Sequence, residues 1–337
     1  MLAILVVAVT AVGVAVMMWH PDWPAVAPFA PIVVVAGLFL TTGRLLVVDA
    51  YILWWMVAAS DVGQSDAGFP VSLTAQVIVM GLMLWVSNAR SRLGVTGVLG
   101  ESMLVDLRDR LKRTGEIPAL PEGWTAEAVV DSAHGDSFSG DFLIASRSID
   151  GQILELALVD VSGKGVNAGT RSLLLSGALA GLLGSTPPEE FLPSANAFLL
   201  RQQWPEGFAT CVHLWVDLST GAYTVGSAGH PPAAHHRGGS GRWSMLDAAA
   251  GPLLGVVEFA HYRRVGGTME PGDAILLYTD GVIESQRYEL ADGIDRMLGV
   301  AERAAVSAAP SRVARAVCDA ARAGDADDRA AVVLTRT

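Results

Sequence analysis

Acids stand beside glycines or other turn-forming residues at the ends of hydrophobic runs. They are Asp141 in Ser139-Gly140-Asp141-Phe142, Asp160 in Val159-Asp160-Val161-Ser162-Gly163-Lys164-Gly165, Asp280 in Tyr278-Thr279-Asp280-Gly281, and the pair Asp327-Asp328 before the last apolar run. Acids that end hydrophobic strands are aimed at a common rim, and glycines such as Gly140 and Gly281 let the backbone approach a ligand closely. Like charges brought together there repel one another unless a cation lies between them. Oxygen donors without His or Cys select a hard cation, Mg²⁺ or Mn²⁺, over zinc. Taken singly, each Asp is equally an ordinary turn residue, the Asp280-Gly281 pair above all. The set, in this order, carries the reading.

The elements that must position these acids alternate between strands and helices. Ile153–Asp160, Thr210–Leu218, Ala222–Ser227, Ala274–Tyr278 and Ala331–Leu334 read as strands, with Ser219-Thr220-Gly221 as a hairpin turn. Residues 168–184, 188–203, 294–306 and 310–323 read as helices. Consecutive strands joined by short turns argue for antiparallel pairing rather than a doubly wound parallel sheet.

At 337 residues and 51% hydrophobic, the chain is too long for one ordinary domain and unusually apolar. Residues 1–89 hold one basic residue, Arg44, and the acids Asp22, Asp49, Asp61 and Asp66, which leaves the remainder with 22 Lys and Arg against 30 Asp and Glu, net −8. Such a surface repels a nucleic-acid backbone, and no basic run forms a phosphate-tracking stripe, so nucleic acid is not an expected partner. Four apolar stretches, Leu2–Trp19, Val26–Thr41, Leu45–Ala59 and Val71–Ser87, approach the roughly 20 residues needed to cross a bilayer, which predicts a helical transmembrane region over 1–89 with four spans, or three. No basic residue follows Met1 and no cleavage site leads into a soluble domain, so no signal peptide is expected. Arg44, Arg90 and Arg92 put both termini in the cytoplasm by the positive-inside rule, hence a multi-pass protein of the cell membrane with the lipid bilayer as a partner. Asp49 then reads either as an intramembrane sensing or ion site or as an acid reaching back to the interface.

Residues 90–118 form a connector in which Met103, Leu104, Leu107 and Leu111 share one helical face, ended by Pro118 and Pro121. This helix either pairs with a second copy, making a homodimer that passes a signal, or packs on its own domain. Cys211 and Cys318 lack metal-ligand spacing and read as small buried hydrophobes of a reducing compartment.

Residues 119–337 resemble the metal-dependent protein phosphatases (PPM), in the bacterial SpoIIE-like branch. The resemblance rests on Asp160-Val161-Ser162-Gly163-Lys164-Gly165, Phe208-Ala209-Thr210, Ala228-Gly229-His230-Pro231, Gly251-Pro252-Leu253-Leu254-Gly255, Pro271-Gly272-Asp273, Tyr278-Thr279-Asp280-Gly281 and Asp327-Asp328. It implies an α/β (α+β) catalytic domain with two antiparallel sheets sandwiched between helices, acting on phosphoserine or phosphothreonine of a protein. It also implies two Mn²⁺ or Mg²⁺ ions, bridged by Asp160 with the Val161 carbonyl beside it. Asp280 and Asp327 would complete one metal, Asp141 would hold the other or its waters, and Gly140, Gly281, Asp328 and His230 would support them. Two such cations lower the pKa of a bridging water for attack on phosphorus. The branch's usual substrates are phosphorylated antagonists of anti-sigma factors. In relatives a helix placed like the one after Val166 couples partner contacts to the metal site; a plain core helix is the alternative.

Two positions depart from the family pattern. The first motif keeps Asp141 but has no second acid, and Ser162 stands where eukaryotic relatives carry a His suited to protonating the leaving group. His230 is either a replacement acid or a structural residue of the Gly-His-Pro turn. The missing acid also admits a different reading, a catalytically impaired, membrane-tethered binding module that sequesters a phosphoprotein. Cysteine-based catalysis is excluded because no Arg lies within five residues after Cys211 and no glycine-rich loop separates Cys318 from Arg322. A nucleotide-binding loop at Gly163-Lys164 fails because position 158 is Leu and no Ser or Thr follows the Lys.

Overall fold

The computed structural model describes residues 9–11, 29–61, 69–92, 109–110, 113–132, 140–163, 166–204, 207–284, 289–306, 312–321 and 328–337. The chain divides into two compact units, Met1–Asp106 and Leu107–Thr337.

In the first unit, helices α1 (Ala30–Phe39), α2 (Thr42–Asp61) and α3 (Phe69–Arg92) pack through Val33, Ala36, Leu45, Val48, Ile52, Met56 and Met80. The expected transmembrane bundle is overturned: among the described residues no helix is long and apolar enough to cross a membrane. Length and apolarity do not coincide. Helix α1 has only 10 residues, about 15 Å of rise. The longer α2 carries Arg44, Asp49 and Asp61, and α3 spreads Ser72, Thr74, Gln76, Ser87, Asn88, Arg90 and Arg92 along its length. The first apolar stretch, Leu2–Trp19, lies outside the described residues except for 9–11. The multi-pass membrane location and the bilayer as partner lose their support with the spans. Asp49 does not reach outward; it is 4% exposed, and neither carboxylate oxygen has a hydrogen-bond partner. The connector lies outside the described residues apart from 109–110 and 113–118, so its pairing stays an expectation.

The second unit is a four-layer sandwich of helices, two sheets and helices. One sheet has the order β1-β10-β9-β6-β7, from strands Trp124–Asp131, Arg329–Arg336, Ala274–Tyr278, Ala234–Arg237 and Arg242–Met245. The other has the order β2-β3-β4-β5-β8, from Asp141–Arg147, Ile153–Val161, Ala209–Asp217, Ala222–Ala228 and Arg264–Thr268. The ladders between the described strands are antiparallel, as the short turns imply. The period of two decides the layers. Leu154, Leu156 and Leu158 of β3, Val212, Leu214 and Val216 of β4, Ile275 and Leu277 of β9, and Val332 and Leu334 of β10 fill the space between the sheets. The alternate residues of the second sheet, among them Ile144, Val159 and Cys211, face α4 (Val166–Leu182) and α5 (Pro188–Gln202). Those of the first sheet, among them Leu276 and Val333, face α7 (Leu290–Val306) and α8 (Val313–Asp319). Both cysteines are buried thiols.

Strands β1, β2, β6, β7 and β8 escape the pattern reading. Strands β6 and β7 are four residues long, and Gly266-Gly267 interrupts β8, so none of the three offers the alternation that marks a strand. They are held by ladder pairing to their neighbours: β6 to β9, β7 to β6, and β8 to β5.

Candidate active site

The polar cluster lies at one end of the sandwich, and the core's own periodicity places it there. The inward-facing positions that hold Leu143, Leu158, Val212, Val225, Leu277 and Ala330 in the core continue, two residues on, to Asp141, Asp160, Thr210, Ser227, Thr279 and Asp328. Because neighbouring strands run antiparallel, starts of β2, β4 and β10 meet ends of β3, β5 and β9 at that rim.

Asp141 and Asp160 are direct partners in the β2–β3 ladder, and Asp160 is in turn opposite Thr210 of β4. The Gly140 N–H donates to Asp328 Oδ2 at 2.5 Å, and the Val161 N–H donates to the Gly140 carbonyl at 3.2 Å. A Cβ on Gly140 would sit 3.1 Å from the Val161 carbonyl oxygen and 3.2 Å from Asp328 Oδ2, so glycine permits this convergence. Gly281 is tighter still: a Cβ there would overlap the Asp328 carbonyl oxygen. Asp280 opens the single-turn helix α6 (Asp280–Ile283) directly after β9. Asp327 lies outside the described residues.

Asp141 is 3% exposed. Burial, and then the charges of Asp160, Asp328 and Asp280, hold its carboxyl well above the usual range, while a hydrogen bond from Thr279 opposes them. Among the described residues no group of three or more His, Cys, Asp or Glu side chains is arranged to hold a metal ion. In kind, however, the donors fit a hard cation, because they are oxygens and their mutual repulsion is what a cation relieves.

The family described as Stage II sporulation protein E, SpoIIE, matches residues 150–337, more than half of the chain. The chain belongs to the SpoIIE family. Asp141 lies upstream of the matched segment. Phosphoserine phosphatase RsbU of Bacillus subtilis (strain 168) is 26% identical over 154 residues, 45% of this chain and 45% of RsbU, so the match spans less than half of that relative. The RsbU and RsbW domains of Rv1364c from Mycobacterium tuberculosis are 25% identical with a TM-score of 0.58, over 66% of this chain and 62% of that one. The PP2C phosphatase domain and regulatory fragment of SpoIIE from Bacillus subtilis share the fold, with a TM-score of 0.53 at 17% identity over 63% of each chain.

In this SpoIIE-family chain, Ser162 ties the Asp160 loop to β4. Its hydroxyl accepts from the Phe208 N–H, and its own N–H donates to the Phe208 carbonyl, both at 3.0 Å. Its carbonyl accepts from Arg171 Nη1 at 3.3 Å, so α4 also reaches this loop. Ser172 on the same helix is wholly buried and donates to the Gly140 carbonyl at 3.2 Å. His230 is 6% exposed with both ring nitrogens engaged, and burial pushes its pKa down to about 3. The Nε2 position of this buried imidazole is turned to the Tyr278 carbonyl and Nδ1 to Thr210.

Thr210 and Thr279 stand inside motifs that the sequence displays, but nothing there gives either a role, and Ser172 belongs to no motif. For Thr210 and Thr279 the signal lay in the alternation, where a polar residue occupies a position at which the inward-facing series calls for Leu or Val; Ser172, on α4, carries no such strand signal.

Proposed function

We propose that this chain is a metal-dependent protein phosphatase that hydrolyses phosphoserine or phosphothreonine on a protein, with a phosphorylated antagonist of an anti-sigma factor as the substrate class. The observation that carries the reading is the meeting of Asp141, Asp160, Asp280 and Asp328 at one rim of a SpoIIE-family sandwich, where burial and then the charges of the other three raise the Asp141 carboxyl. Asp160, the Val161 carbonyl, Asp141, Asp280 and Asp327 would hold two Mn²⁺ or Mg²⁺ ions. When bound, such a pair supplies an activated water and neutralises charge on the phosphoryl oxygens. The chain's own part is orientation: the β2–β3 ladder sets Asp141 against Asp160. Gly140 and Gly281 let the Asp328 segment close on them, and the Thr279 hydroxyl fixes the Asp141 carboxylate from the opposite sheet. His230 and Ser162 are held in backbone and Thr210 contacts, and neither is assigned protonation of the leaving group.

The test is phosphate release from a phosphoserine protein by the full chain with Mn²⁺, with chelator, and with Asp160→Asn. Turnover should require the metal and fall on the order of 10²-fold or more in the variant, the usual cost of losing one group that stabilises the transition state. A folded protein that releases no phosphate from phosphoprotein or aryl phosphate in Mn²⁺ would instead be a binding module that sequesters its phosphoprotein.

A further inference from the structure

Beyond the end of β5 the chain turns at Gly229, whose φ of +64° and close approach to Leu253 exclude a side chain. This turn directs His230 back between the sheets. Three hydrogen bonds then fix it. The Ser227 hydroxyl donates to the His230 carbonyl at 2.9 Å, Thr210 Oγ1 lies 2.6 Å from Nδ1, and Nε2 lies 3.0 Å from the Tyr278 carbonyl oxygen. A carbonyl only accepts, so Nε2 carries the proton and Nδ1 of the neutral ring accepts from the Thr210 hydroxyl.

The two ends of this imidazole touch different sheets. Thr210 is the ladder partner of Asp160 in the second sheet, and Tyr278 ends β9 of the first sheet, two residues before Asp280. We propose that His230 is a positioning residue, a rigid brace between the sheets that sets the separation of Asp160 from Asp280. The inference rests on the metal-dependent reading above and adds to it the element that holds the acids of opposite sheets at one spacing. An imidazole suits this role because it is planar and presents one donor and one acceptor at opposite edges. A metal site depends on such partners for affinity as well as for rate, at roughly 10–100-fold per contact.

The experiment compares the full-length wild type with Thr210→Val, His230→Ala, His230→Gln and the Thr210→Val/His230→Ala double variant. Mn²⁺ binding is measured by calorimetry, alongside KM and the pH profile for an aryl phosphate. Thr210→Val and His230→Ala should each weaken Mn²⁺ binding about tenfold or more. The double variant should lose little beyond either single one. His230→Gln should recover part of the affinity, because its amide N–H can still reach the Tyr278 carbonyl. KM and the shape of the pH profile should not move. Thr210→Val keeps the shape of the site and serves as the test if His230→Ala does not fold. Unchanged Mn²⁺ affinity in the folded variants overturns the brace, and so does a lost basic limb of the pH profile in His230→Gln with metal binding intact. A wild type that binds no Mn²⁺ overturns both brace and phosphatase reading. A wild type that binds Mn²⁺ without turnover removes the phosphatase reading alone, and the binding series still decides the brace.

Discussion

Asp141 and Asp160 face each other directly across the β2–β3 ladder, two carboxylates where the next inward-facing pair toward the core is Leu143 and Leu158. Like charges directly opposite on neighbouring strands destabilise a sheet. The fold therefore keeps here an arrangement that is costly by itself and that a bound cation would relieve.

Asp141→Asn should stabilise the metal-free protein at neutral pH, since it removes a carboxyl whose ionisation is disfavoured by burial and then by the charges of Asp160, Asp328 and Asp280. The midpoint of thermal unfolding in chelator should rise by about 2–4 °C, the shift that about 1 kcal/mol produces in a domain of this size. The same variant should gain less than wild type from added Mn²⁺. Equal unfolding curves in chelator would remove the idea that the acids are held together under strain.

Thr279→Val keeps the side-chain shape and deletes the hydroxyl. That oxygen accepts from the Ala330 N–H at 2.9 Å and hydrogen-bonds to Asp141. Left without its acceptor, the buried Ala330 N–H should cost about 1–3 kcal/mol, visible in urea unfolding. Thr279→Ser should restore most of it. Turnover should fall more in Thr279→Val than in Thr279→Ser.

Gly281→Ala should separate the Asp280 and Asp328 segments, because the new methyl overlaps the Asp328 carbonyl oxygen. Overpacking of this kind costs roughly 1–3 kcal/mol. Activity should fall at least about tenfold, as small misplacements of reacting groups are expensive. Wild-type kinetics in this variant would show that the two segments need not touch.

Acid should unfold the second unit through His213. This residue is wholly buried between Glu155, whose Oε2 lies 3.1 Å from Nε2, and Arg264, whose Nη1 lies 3.1 Å from Nδ1. Glu189 on α5 adds its charge beside Arg264. Burial pushes the His213 pKa down to about 4 against the pull of the Glu155 hydrogen bond, and the Arg264 charge adds to the fall. An unfolded chain then binds a proton that the folded chain refuses, so stability drops as pH falls from about 6.5 to 4, by up to about 1.4 kcal/mol per pH unit. His213→Gln should flatten that slope in urea titrations across this window. Parallel slopes for wild type and variant would contradict it.

A different end of the sandwich carries a second buried network. Tyr223 of β5 meets His235 Nδ1 at 3.1 Å, and His235 Nε2 meets Asp273 Oδ2 at 3.1 Å, joining the sheets far from Asp280. Asp273 also accepts from the Gly238 and Glu270 N–H groups. Asp273→Ala should lower unfolding stability by about 1–3 kcal/mol while leaving the Mn²⁺ requirement intact. An altered metal requirement would tie this network to the site.

Much of the second unit was legible in the sequence. Strands β3, β4 and β9 are apolar runs buried on both faces, one against the opposite sheet and one under helices, and such a run of strand length is a local signal. The glycines beside Asp141 and Asp280 announced close backbone approach for the same local reason. The roles of His230, Thr279 and Asp328 were not legible, because each depends on a partner from a distant strand, and antiparallel register, not sequence distance, brings those partners together. The apolar runs of the first unit misled in the opposite sense. Composition counts hydrophobic residues, whereas a span needs them unbroken along one helix, and only the helix boundaries decide whether Arg44, Asp49 and Gln76 interrupt it.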